Sequence, residues 1–156
     1  MIIKPNYIII PIITIAVSVI GSMITSKGMQ WYKTINLPSF TPPGSFIGAV
    51  WTMIFILATI SALIVWNKMP QEGNFWWIIA LFLINAGLNV FWSYLFFGKH
   101  MLNVAFIEAG LLDLTVITLI ILIWPVSRLA AGLLIPYAAW VAFATYLSYI
   151  IWSLNK

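Results

Sequence analysis

The 156-residue chain is 63% hydrophobic and only 6% charged, with a formal net charge of +4, whereas soluble domains carry roughly 25% charged residues. This excludes a soluble globular domain and leaves room for several membrane spans of about 20 residues each and little else. The scattered basic residues read as membrane anchors and not as a nucleic-acid surface, while the lack of cysteine and the single histidine, His100, exclude disulfides and thiolate or multi-histidine metal sites.

Apolar runs predict an all-α membrane protein, one domain over 1–156, with transmembrane helices at about 7–26, 46–67, 75–97, 102–124 and 130–153. A membrane barrel would alternate polar and apolar side chains, whereas "LTVITLIILIW" is apolar on every side. In the first span, Lys4 followed by an apolar run also describes a secretory signal peptide. The run exceeds the core of about 7–15 residues typical of such signals, and "SMITSKG" offers no small-x-small cleavage site. We therefore retain it as a helix.

Between the first two spans lies "NLPSFTPPG" (36–44), with three prolines and a glycine. Proline fixes its own backbone and pushes the preceding residue out of the helical region, so this stretch is stiff and extended. Pro42 and Pro43 can start the second helix without forfeiting a hydrogen bond, and the loop can fold over the bundle mouth as a lid. A rigid linker would use the same residues. Gly44 and Gly48 form the G-x-x-x-G spacing that permits close helix contact.

In the second span, Trp51 and Phe55 share a face at i, i+4; in the last, Trp140, Ala144 and Leu147 do so at i, i+4, i+7. Ala144 leaves space beside Trp140 where a bulky side chain would fill it. Helix packing through small residues accounts for this pattern equally well. Trp31, Tyr32, Trp66, Trp76, Trp77, Trp124 and Trp152 fall near predicted helix ends, where amphipathic rings form interfacial belts. Trp51, Trp92 and Trp140 lie deeper, and several indole faces around one cavity suit a flat apolar ligand.

The third and fourth spans hold the intramembrane polar residues. Asn85 and Asn89 share a face and are suited either to a site or to binding helix to helix. Glu108 and Asp113 are functional candidates by cost alone, although a structural role for Glu108, protonated or hydrogen-bonded between helices, explains it better than ligand or proton handling. They stand about 140° apart around the helix and form no carboxylate pair. Nor is there a glycine-rich phosphate loop or a serine, histidine and acid set for a hydrolase. Counted by side, Lys27, Lys33, Lys99 and Lys156 oppose Lys4, Lys68 and Arg128, which favours a cytoplasmic carboxyl terminus.

"WYKTINLPSFTPPGSFIGAVW" (31–51), "LNVFWSYLFFG" (88–98) and "LIPYAAWVAFATYLSYIIWSLN" (134–155) resemble the tryptophan-rich sensory protein family. This is also called the translocator protein or peripheral benzodiazepine receptor family (TspO/MBR), and the resemblance covers nearly the whole chain in order. It implies a five-helix bundle, often a homodimer, whose pocket opens toward the first long loop and takes tetrapyrroles, sterols and benzodiazepine-type ligands. By position, Tyr32 and Pro43 would belong to the lid. Trp51, Phe55, Asn89, Trp92, Trp140, Ala144 and Leu147 would line the pocket. Glu108 stands where the family has an acidic residue; Asp113 has no assigned counterpart.

The family's sterol pattern is incomplete, because Leu147 and Tyr149 are followed by Lys156 one residue too late. Protoporphyrin is therefore the expected ligand, in a bacterial cell membrane, with no cofactor required. Two functions follow: a receptor, sensor or transport module, or a light- and oxygen-dependent porphyrin-degrading enzyme in which Trp51 and Trp140 take part. A small multidrug exporter fits less well, because such exporters have four shorter helices and an acidic residue in the first. Gly48 and Ala142 are the expected dimer contacts.

Overall fold

The computed structural model describes residues 4–71 and 73–156. It is all-α: α1 (Asn6–Tyr32), α2 (Gly44–Lys68), α3 (Asn74–Ser93) running into a π-helical turn (Tyr94–Gly98), α4 (Leu102–Ile123), α5 (Arg128–Leu133) and α6 (Ile135–Leu154). Five helical stretches, with α5 and α6 counted together, are long and apolar enough to span a membrane.

Three elements differ from the sequence expectation. The first helix continues past residue 26 to Tyr32, because no proline lies between residue 26 and Pro38; it ends where the Thr34 backbone N–H and hydroxyl both donate to the Trp31 carbonyl. Tyr32 is thus the last residue of α1 and not part of the loop. The expected helix at 130–153 is divided at Leu134, since Pro136 lacks an N–H and restrains Ile135 before it. The third helix ends in a wider turn, where the Lys99 N–H donates to the Tyr94 carbonyl at 2.8 Å. His100 follows with a left-handed backbone, φ 57°, and its ring stacks on Trp31 at 3.9 Å between centroids.

The spans form a closed ring in the order α1, α2, α5/α6, α4, α3. On α4, Leu102, Ala105, Ala109, Leu112, Val116, Leu119 and Ile123 recur every three or four residues and face inward. Val65, Ile78, Ile123, Ala130 and Ala131 pack the end carrying the amino terminus, where Ser61 Oγ donates to the Ala130 carbonyl at 2.8 Å. The glycine that brings backbones together is Gly28. A Cβ there would lie 2.5 Å from the Phe97 carbonyl oxygen, so only glycine lets α1 lie against the π turn.

Candidate functional site

The half of the ring nearer the 33–43 loop is hollow. A cavity of about 950 Å³ lies among α1, α2, α3, α4 and α6, and Leu37, Pro38, Thr41 and Pro42 of the loop line it. Pocket volumes for small ligands run from about 300 to 1,000 Å³, so this one has room for a large ligand.

Trp51 and Phe55 of α2 stand at its wall with ring centroids 5.7 Å apart. From α6 come Trp140, Ala144 and Leu147, and from α3 come Asn89 and Trp92. Trp92 stacks on Phe96 at 5.1 Å, and the π turn presents both Phe96 and Phe97 to the cavity. Tyr32 completes the α1 wall at the loop end. Pro43 is the sequence-assigned residue that this wall leaves out. Pro42 and Gly44 on either side line it, while Pro43 is exposed and its carbonyl accepts the Ile47 N–H at 3.1 Å to start α2.

Gly44 and Gly48 also behave otherwise than their spacing suggests. Both line the cavity, and a Cβ at either would meet nothing within 4 Å. Within the chain they make no close helix contact; they widen the site.

Tyr137, which the sequence did not single out, lies behind the wall and supports it. Asn89 Nδ2 donates to its hydroxyl at 3.1 Å, and that hydroxyl donates to Asn85 Oδ1 at 3.0 Å. Asn85 Nδ2 in turn donates to Thr115 Oγ1 at 2.8 Å. The chain of bonds ties α3, α4 and α6 beneath the cavity and fixes Asn89 in its wall. Tyr137 also meets Trp51 edge to face at 6.0 Å, so one buried ring supports both. Its only sequence signal was its place in the "PYAAW" motif.

Other polar groups lack partners. The indole N–H groups of Trp92 and Trp140 are covered and find no acceptor among the described residues, although a buried indole ordinarily finds one. Glu108 is 4% exposed and neither carboxyl oxygen has a hydrogen-bond partner. It does not line the cavity, though Ala109 beside it does. Asp113 is likewise outside the wall, with Oδ1 unpartnered. Among the described residues no group of histidine, cysteine and acidic side chains could hold a metal ion.

Comparison with known proteins gives a consistent result. The model of the TspO/MBR family matches residues 8–153. "Tryptophan-rich protein TspO" of Bacillus cereus is 36% identical, covering 99% of this chain and 100% of that protein. A protein of the same name from Archaeoglobus fulgidus is 36% identical over 90% of this chain and 91% of its own. The human "Translocator protein" is 30% identical over 87% of this chain and 82% of its own.

Proposed function

The chain belongs to the TspO/MBR family, and on that premise we propose that it is a membrane receptor, sensor or transport protein that binds tetrapyrroles, protoporphyrin first among them, and related apolar ligands. The observation that carries this reading is the wall of the cavity. Trp51, Phe55, Trp92 and Trp140 surround a space of about 950 Å³ inside the bundle, and their flat faces suit a flat polycyclic body through stacking and burial. The 33–43 loop acts as the lid, opening for entry and closing over the ligand. The protein resides in a bacterial cell membrane as a homodimer, with its carboxyl terminus in the cytoplasm.

The test is tryptophan fluorescence and porphyrin absorbance on the purified protein, in the dark and in light, beside Trp51→Phe and Trp140→Phe. Saturable quenching in the dark, with no light-driven product beyond that of free porphyrin, supports the binding module. The second reading, oxygen- and light-dependent porphyrin degradation, is favoured by the placing of both Trp51 and Trp140 at the wall, where either could donate an electron to the excited ring. A protein-dependent product lost in either variant would establish it.

A further inference from the structure

We propose that Lys33 sets the class of ligand the cavity takes: a flat apolar body bearing a carboxylate at the end nearest the 33–43 loop. The inference rests on the ligand-binding reading above and adds the charge of the ligand and its direction in the site. Of the described residues that line the cavity, Lys33 is the sole charged one. Among the described residues no acidic side chain shares the wall to neutralise it. Of the chain's three acidic residues, Glu108 and Asp113 lie in α4 away from the wall, and Glu72 is outside the described residues.

Of the other three lysines counted to this side, Lys27 is absent from the cavity wall, and the remaining two are turned to aromatic rings. Lys99 Nζ lies 5.5 Å from the centre of the Tyr94 ring, and Lys156 Nζ lies 5.2 Å from that of Trp152. Neither lines the cavity. Lys33 alone brings a positive charge to it.

The α1 wall also gives a ligand a direction. Ser18, Ser22, Thr25, Met29 and Lys33 line the cavity at steps of three or four residues, so they share one face of the helix. That stripe runs from hydroxyls in the middle of the bundle to the ammonium at the loop end, and the aromatic wall of α2, α3 and α6 stands around the rest of the ring. An apolar body placed among the indoles with its carboxylate toward the loop meets a matching group at each level. A neutral or cationic ligand of the same shape leaves Lys33 unmatched.

The experiment compares protoporphyrin with its dimethyl ester, which keeps the ring and removes both charges. Binding is read in the dark by tryptophan quenching, with the full chain in phosphatidylcholine nanodiscs. Wild type is expected to favour the diacid in a ratio that falls as salt rises. Lys33→Gln lowers that ratio by roughly twofold to fivefold, the range of an exposed ion pair, with ester affinity unchanged, and Lys33→Arg keeps it. Because Lys33 is exposed, the variants fold as wild type does.

An unchanged ratio in Lys33→Gln while both forms still bind overturns the proposal and leaves the cavity reading intact. Equal weakening of acid and ester does the same, since Lys33 would then act through shape. A diacid preference abolished by adding phosphatidylserine assigns Lys33 to lipid headgroups, which also overturns it. If wild type binds neither form saturably, the cavity reading itself fails and this inference falls with it.

Discussion

Asn155, at the end of α6, holds both backbone groups of Asn36: its Oδ1 accepts the Asn36 N–H at 2.8 Å and its Nδ2 donates to the Asn36 carbonyl at 2.8 Å. The same Nδ2 donates to the Ile151 carbonyl at 2.7 Å, and Asn36 Nδ2 reaches the Leu154 carbonyl at 3.4 Å. One carboxamide thereby closes the helix and clasps the loop, and Phe40 stacks on Tyr146 of α6 at 6.1 Å further along.

Asn155→Ala releases that clasp. Each net hydrogen bond is worth about 0.5–1.5 kcal/mol, so the loop opens more often and ligand dissociation quickens by roughly tenfold. Stopped-flow recovery of tryptophan fluorescence after porphyrin is displaced measures this directly. A dissociation rate equal to wild type would mean that the clasp does not hold the closed state.

Tyr137→Phe removes one hydroxyl from the centre of a three-helix network. Asn89 loses an acceptor and Asn85 a donor, and intramembrane hydrogen bonds of this kind contribute about 1–2 kcal/mol at most. The thermal midpoint in detergent should fall by several degrees, and ligand affinity should weaken as Asn89 loses its fixed place in the wall. An unchanged midpoint would show that the asparagines find other partners.

How far this arrangement was legible in the sequence depends on the range of the forces involved. The spans follow from runs of apolar residues, which act locally, and Trp51, Trp140 and Ala144 sit in motifs that carry their positions with them. The extension of α1 to Tyr32 and the placing of Pro43 outside the cavity depend on a few backbone angles near prolines, where Pro42 and Pro43 point differently although adjacent. Tyr137 and Gly28 are significant only through what lies across the ring from them. A tyrosine beneath two asparagines, or a glycine against Phe97, has no period to announce it.

The two kinds of glycine separate in a paired test. Gly28→Ala forces a Cβ to 2.5 Å from the Phe97 carbonyl oxygen and 2.7 Å from its Cβ, an overpacking that costs about 1–3 kcal/mol. Gly48→Leu should leave the thermal midpoint near that of wild type, because its side chain enters open space, and should weaken porphyrin binding by about tenfold or more. The reverse pattern, with Gly28→Ala stable and Gly48→Leu unfolding, would contradict the packing described.

Glu108→Gln keeps the shape of a buried side chain whose carboxyl oxygens have no protein partner. Replacing it with the amide should change the thermal midpoint by no more than a few degrees, since no salt bridge or hydrogen bond among the described residues is lost. Strong destabilisation in the same scan would reveal a partner for the carboxyl group.

The claim on which all of this depends is that the aromatic cavity is where ligand goes. Its most direct measurement is a dark titration of protoporphyrin against wild type and Ala144→Phe, a substitution that fills the space beside Trp140. The cavity account predicts saturable quenching at one porphyrin per chain in wild type and its loss in a variant that is still folded. Undiminished, saturable binding to folded Ala144→Phe would place the ligand elsewhere on the protein.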